Sequence, residues 1–168
     1  LHQKYHTSEA SSQISEVQCL SKKDIDIIEN EILIDGRTIM HKYHSDRLHN
    51  LSLYPNVIPT FEELKNRDIK LVGFTESNTF HTMKRIKQLN LEKYFDAFYA
   101  PIDLGNKDPS LRFYDNDSYI LENTRIIELK KGSKKPDKDI LNSILGDFGM
   151  TSSDAIYVGD KLQKDVHM

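Results

Sequence analysis

Three short stretches of this 168-residue chain carry side chains able to handle an anion and a divalent cation. The first is Thr75, directly after the apolar run Leu71-Val72-Gly73-Phe74, with Glu76 beside it. A hydroxyl at a strand end, followed by the free amides of a helix N-terminus, makes an anion pocket. A plain helix cap would use the same residue. The second is Lys134-Lys135-Pro136, where a lysine beside a proline suited to a first helical turn presents a point charge to a phosphate. A solvated lysine pair is the ordinary alternative. The third is Gly159-Asp160-Lys161-Leu162-Gln163-Lys164-Asp165. Glycine permits a sharp turn, and Asp160 and Asp165 can converge on one magnesium ion, which takes oxygen ligands. Aspartates capping the next helix would read the same way.

These residues need strands and helices to bring them together. Ile69 to Phe74 is a compact apolar strand, Thr79 to Leu89 a helix, Ala97-Phe98-Tyr99 a second strand, and Pro136 to Phe148 a further helix. Ala155-Ile156-Tyr157-Val158 reads as a third buried strand, ending at Gly159-Asp160. Helices alternating with strands predict a parallel α/β sheet with crossovers, whose ligands bind where strands end. Residues 103–133 interrupt this alternation. Within them Ser118 to Leu121 and Arg125 to Leu129, joined by Glu122-Asn123-Thr124, predict an antiparallel hairpin outside the main sheet. Residues 1–52 form a helical segment, with Ser21 capping its second short helix and another helix over Arg37 to Leu48.

Composition narrows the partners. A hydrophobic fraction of 38%, with 29% charged residues, suits a globular domain. The net charge of -3 offers no general attraction to nucleic acid or anionic membranes, so neither is an expected partner. No apolar stretch approaches the roughly 20 residues that cross a bilayer. The single cysteine, Cys19, excludes an internal disulfide framework and fits a reducing compartment, the cytoplasm. His41, His44 and His49 share one helical stretch without a carboxylate or cysteine at ligand spacing, which predicts surface histidines. Tyr114 and Tyr119 are expected to pack in the hairpin.

Taken together, strand-Thr75, Lys135-Pro136 and strand-Gly159-Asp160-(four residues)-Asp165 resemble the second, third and fourth motifs of the haloacid dehalogenase-like (HAD) superfamily. Leu53-Tyr54-Pro55-Asn56-Val57 resembles that family's Tyr-Pro-Gly-Val segment, and Tyr94-Phe95-Asp96-Ala97 the stretch after motif two. The resemblance implies a three-layer Rossmann-like parallel sheet, incomplete here, over residues 53–168 with the insertion at 103–133. Residues 1–52 stand where the family carries a helical cap. It further implies a magnesium-dependent phosphatase acting on a small phosphorylated metabolite. In that reading Thr75 and Lys135 are catalytic, Thr75, Glu76 and Lys135 border the phosphate, and Asp160 and Asp165 serve the metal. A non-enzymatic phosphate-binding or regulatory module is the competing class, and a dehalogenase the third.

The family's first motif, an Asp-x-Asp after an apolar strand, supplies its nucleophile. Asp24-Ile25-Asp26 has that spacing but lies in a helical pattern, so it is rejected for the role. The chain also starts on Leu1 and stops soon after motif four. The resemblance then implies that this chain alone is inactive. A further segment or a second chain is expected to complete the sheet.

Overall fold

The computed structural model describes residues 20–102, 119–130 and 133–166. The chain divides into two compact units, Leu1–Pro55 with Leu104–Tyr119, and Asn56–Asp103 with Ile120–Met168.

In the first unit, helix α1 (Lys22–Asp26) begins at Ser21, whose side chain accepts from the Asp24 N–H while Asp24 reaches back to the Ser21 N–H. The sequence predicts the Ser21 cap, and the return bond from Asp24 makes it reciprocal. A wide helical turn, Ile27–Glu31, follows. Strands β1 (Leu33–Ile34) and β2 (Arg37–Thr38) then pair antiparallel around Asp35 and Gly36, both at positive φ (53° and 73°). Asp-Gly is the strongest two-residue hairpin signal, and the helical reading of residues 1–52 passed over it. Helix α2 (Ile39–His49) completes the described unit. His41 on α2 is buried, against the expectation of a surface position, and only His49 of the three histidines is exposed among those described.

The second unit is built on strands β3 (Val72–Phe74), β4 (Ala97–Pro101) and β5 (Arg125–Leu129), in that spatial order. All pair in parallel, with Gly73 opposite Phe98 and Tyr99 opposite Ile127. Helix α3 (Val57–Asn66) precedes β3, and α4 (Thr79–Gln88) with a 3₁₀ turn (Glu92–Tyr94) connects β3 to β4. Helix α5 (Lys138–Asp147) follows β5. Every residue of β4 is buried, as a central parallel strand covered on both faces must be. Ala97 and Tyr99 pack with Ile144, flanked by Ile140, Leu141 and Phe148 of the α5 region. Phe98 meets Phe95 at 4.4 Å between ring centroids, and Phe95 meets Phe61 of α3 at 5.2 Å. The alternation along β4 therefore sends successive side chains into different layers.

Three positions show why the backbone needs the residues it has. Asn56 and Asp68 adopt φ of 68° and 58°, a region that asparagine and aspartate enter more readily than other non-glycine residues. At Gly73 a Cβ would overlap the Phe98 ring. Gly73→Ala is expected to cost about 1–3 kcal/mol, the usual range for overpacking, as read by urea denaturation.

Asp96 ties this frame together. Its Oδ2 accepts from the Leu71 N–H at 2.9 Å and from Lys65 Nζ at 3.2 Å, and Lys70 Nζ lies 3.6 Å from Oδ1. Burial would raise its pKa, but the Leu71 amide and the two lysines outweigh that and hold it below the usual carboxylate range.

Two expectations are corrected. The predicted hairpin does not form among the described residues: Arg125–Leu129 joins the main sheet parallel to β4, and residues 119–121 hold no strand. Ser118 and Tyr114 lie outside the described residues. The cause is the polar turn Glu122-Asn123-Thr124. Glu92 Oε1 accepts both the Glu122 and Asn123 N–H groups, and Thr124 Oγ1 reaches the carbonyls of Glu92 and Phe95. The turn is thereby fastened to the segment entering β4, which sets the next strand beside it. The second correction is Ala155-Ile156-Tyr157-Val158, which pairs with no strand among the described residues. Ile156 is 92% and Val158 86% exposed. An apolar run without a hydrogen-bonded neighbour leaves its backbone groups to water. Among the described residues, no helix is long and apolar enough to cross a membrane.

Candidate functional site

The sheet presents Thr75 at the carboxyl end of β3. Its N–H donates to the Tyr99 carbonyl at 3.0 Å, extending the β3–β4 ladder by one residue. Its Oγ1 accepts the Ser77 N–H at 3.0 Å, curling the chain before α4 begins. Ser77 is itself buried and accepts from Arg85 Nη1 at 2.7 Å. Thr75 is thus a strand-end hydroxyl held by its own loop, and Asn78, the residue before α4, makes no side-chain cap.

Lys135 reaches this strand end from the loop before α5. Its Nζ stands 5.2 Å from the Phe74 ring centroid and 5.4 Å from that of Tyr157, within range of the attraction between a cation and a ring face. Pro136 does not open the helix, as the sequence suggests. Asp137 caps it, its Oδ1 accepting from the Asp139 and Ile140 N–H groups at 3.0 and 3.1 Å, which leaves Lys135-Pro136 in the approach loop. Lys134 is exposed.

Lys135 Nζ pairs with Asp165 Oδ1 at 3.1 Å, the lysine side chain 18% exposed and the aspartate 5%. Tyr157 donates to the same oxygen at 2.8 Å, and the Lys161 N–H donates to Oδ2 at 3.0 Å. Burial alone would raise the Asp165 pKa. The tyrosine hydroxyl, the amide and the ammonium together pull it down to about 2. Burial would likewise lower the Lys135 pKa, but its interactions with Tyr157 and Asp165 hold it above the ordinary value. The site therefore contains a held cation beside a carboxylate that stays ionised well below the usual aspartate range. Gly159 allows this approach, because a Cβ there would overlap the Asp165 side chain.

Glu76 carries a second set of contacts. Its Oε1 accepts the Lys135 N–H at 2.9 Å, and its Oε2 pairs with Lys164 Nζ at 2.5 Å. Thr75, Glu76, Lys135 and Asp165 are thus linked through β3, the loop before α5 and the turn after Gly159. Asp160 differs from them, being exposed. Tyr157 and Lys164 were missed from the sequence. Tyr157 reads as one apolar residue in a strand pattern, and Lys164 as a solvated charge between two aspartates. Only three-dimensional proximity marks them.

The fit for magnesium can be judged from these contacts. Among the described residues, no group of three or more His, Cys, Asp or Glu side chains could hold a metal. Asp165 already accepts from three donors, and Asp160 offers one exposed carboxylate. The described residues do not make a magnesium site by themselves. Asp24, the other aspartate of interest, is spent on the Ser21 cap.

A family model described as haloacid dehalogenase-like hydrolase matches residues 4–168. Two curated relatives are each named glyceraldehyde 3-phosphate phosphatase. The protein from Methanocaldococcus jannaschii is 25% identical over 124 residues, covering 74% of this chain and 42% of the relative. That from Methanopyrus kandleri is 23% identical over 124 residues, with the same coverage. The chain thus spans less than half the length of either. No solved structure matches it.

Proposed function

The chain belongs to the haloacid dehalogenase-like hydrolases, and from that membership we propose that it serves a phosphohydrolase acting on a small phosphorylated metabolite. The carrying observation is the junction at the end of β3, where Lys135 stands beside Thr75's loop with its charge fixed by Asp165. An anionic phosphoryl group gains there from a hydroxyl and a permanently charged ammonium. The names of the two relatives support the substrate class, since glyceraldehyde 3-phosphate is a small phosphate ester.

In this reading Thr75 holds a phosphoryl oxygen, and Lys135 meets charge developing on the transferring group. Asp165 acts on Lys135 first, setting its position and keeping it protonated. Asp160 would offer a magnesium ion one exposed carboxylate, the other ligands coming from beyond the described residues. When bound, the ion would neutralise charge on the phosphoryl oxygens. The expected magnesium affinity of the 168-residue chain is weak, and a calorimetric titration should lose any residual heat in Asp160→Ala.

A second reading is a phosphate-binding or regulatory module without turnover. The capped, helical Asp24 favours it for this chain, because it removes the Asp24-Ile25-Asp26 pair from nucleophile duty. A phosphate-release assay with an aryl phosphate and millimolar magnesium separates the two. The 168-residue chain should be silent. A longer protein that carries these residues together with a strand-borne Asp-x-Asp should turn over, and Asp160→Ala should remove that activity. Turnover by the chain itself that disappears in Asp160→Ala would make one of its own aspartates the nucleophile, Asp24 first. Silence from the longer protein would favour the module.

A further inference from the structure

Glu76 stands at the anion end of the site, where a bare carboxylate would repel a phosphate. Its two oxygens have different partners. Oε1 accepts the backbone N–H of Lys135 at 2.9 Å, a bond across 59 positions of sequence. Oε2 pairs with Lys164 Nζ at 2.5 Å, with side-chain exposures of 31% for Glu76 and 38% for Lys164. Lys164 lies in the same turn as Asp165, one residue before it, and Asp165 holds the Lys135 ammonium. Lys135 is therefore gripped at both ends, by Glu76 at its backbone and by Asp165 at its side chain. Both grips run to the Lys161–Asp165 turn.

Resting on the phosphate-site reading above, we infer that Glu76 is a positioning residue for Lys135 and that Lys164 cancels its charge so that the site still accepts an anion. The carboxylate fixes a loop that brings a cation to the strand end. It can do so beside a phosphate only because its own charge is matched. A neutral acceptor at position 76 would fasten Lys135 as well, and would need no lysine at 164. Lys164 is thus assigned to Glu76 and not to the phosphate.

Amide hydrogen exchange and phosphate affinity, both measured on the whole chain, test the two halves separately. By exchange, the Lys135 amide should lose protection by about tenfold or more in Glu76→Ala, the scale of one hydrogen bond. It should keep its protection in Glu76→Gln, which retains the acceptor. Unchanged protection in Glu76→Ala would overturn the fastening role. Affinity for inorganic phosphate, followed by ³¹P NMR, should fall about tenfold in Lys164→Met, where Glu76 is left uncompensated. The double variant Glu76→Gln/Lys164→Met should recover to within about threefold of the parent, because repulsion and its remedy are then both gone. A double variant as weak as Lys164→Met alone would make Lys164 an anion ligand and overturn the assignment. Absence of phosphate binding in the parent would reject the phosphate reading and the role given to Lys164 with it. The exchange data would still decide whether Glu76 holds Lys135.

Discussion

Lys135→Ala should lower kcat/KM for phosphate-ester hydrolysis by about 10³-fold in a catalytically active protein that carries these residues, about 4 kcal/mol of lost transition-state stabilisation. The size follows from how the cation is held. Its charge is fixed by Asp165 at 3.1 Å, its backbone by Glu76, and its flanks by the Phe74 and Tyr157 rings. A group already in place needs no reorganisation when charge develops on the phosphoryl oxygens, so its full effect falls on the barrier. The fall should appear in kcat more than in KM. Lys135→Arg should recover little, since a planar guanidinium does not reproduce the point charge that Lys135 presents beside Asp165 and the two rings. A loss below tenfold in steady-state kinetics would remove Lys135 from the chemistry.

The second large effect is on stability. Asp165→Asn should destabilise the fold by about 2–3 kcal/mol, below the full range for a broken buried pair because Lys135 keeps some access to water. Tyr157 and the Lys161 N–H donate to different oxygens of Asp165, and asparagine has one accepting oxygen, so the loss reports the ion pair together with one hydrogen bond. The variant should also differ in its acid response. The folded-state pKa of Asp165 is depressed to about 2, against about 3.9 for an unfolded aspartate. Its contribution is therefore fully present above the unfolded value and lost as pH falls through the folded one. Urea midpoints measured from pH 5 to pH 2 should fall more steeply in the parent, and the two curves should approach each other at the acid end. Parallel curves would mean that Asp165 carries no such linkage. Asp96, held down by the Leu71 amide and Lys65, contributes the same sign to both proteins and so cancels in the comparison.

Local chemistry made part of this legible in advance. The Ser21 cap, the helix after Thr75 and the buried strand at Ala97 follow from spacing and side-chain type within a few residues, and the structure has all three. Thr75 and Lys135 stand out for the same reason, as a hydroxyl and a cation beside apolar runs. What could not be read depends on contacts between distant positions. The β5 run has strand chemistry, but its pairing is decided by Glu92 and Thr124, about 30 residues apart, so a hairpin and a parallel strand look alike in sequence. Ala155 to Val158 is apolar enough for a buried strand, yet burial requires a hydrogen-bonded neighbour, and none of the described strands provides one. Asp160 and Asp165 look equivalent in their motif. The glycine at 159 and the reach of Lys135 single out Asp165, leaving Asp160 open to water.

A phosphate group is expected to settle where β3 ends, between the Thr75 loop and Lys135. Titrating ¹⁵N-labelled chain with inorganic phosphate, at fixed magnesium, locates that group without needing turnover. The amides of Thr75, Glu76, Ser77 and Lys135 should shift together and saturate with one dissociation constant, and Lys135→Ala should abolish the set. Shifts confined to other surfaces, or a response that survives Lys135→Ala unchanged, would contradict it.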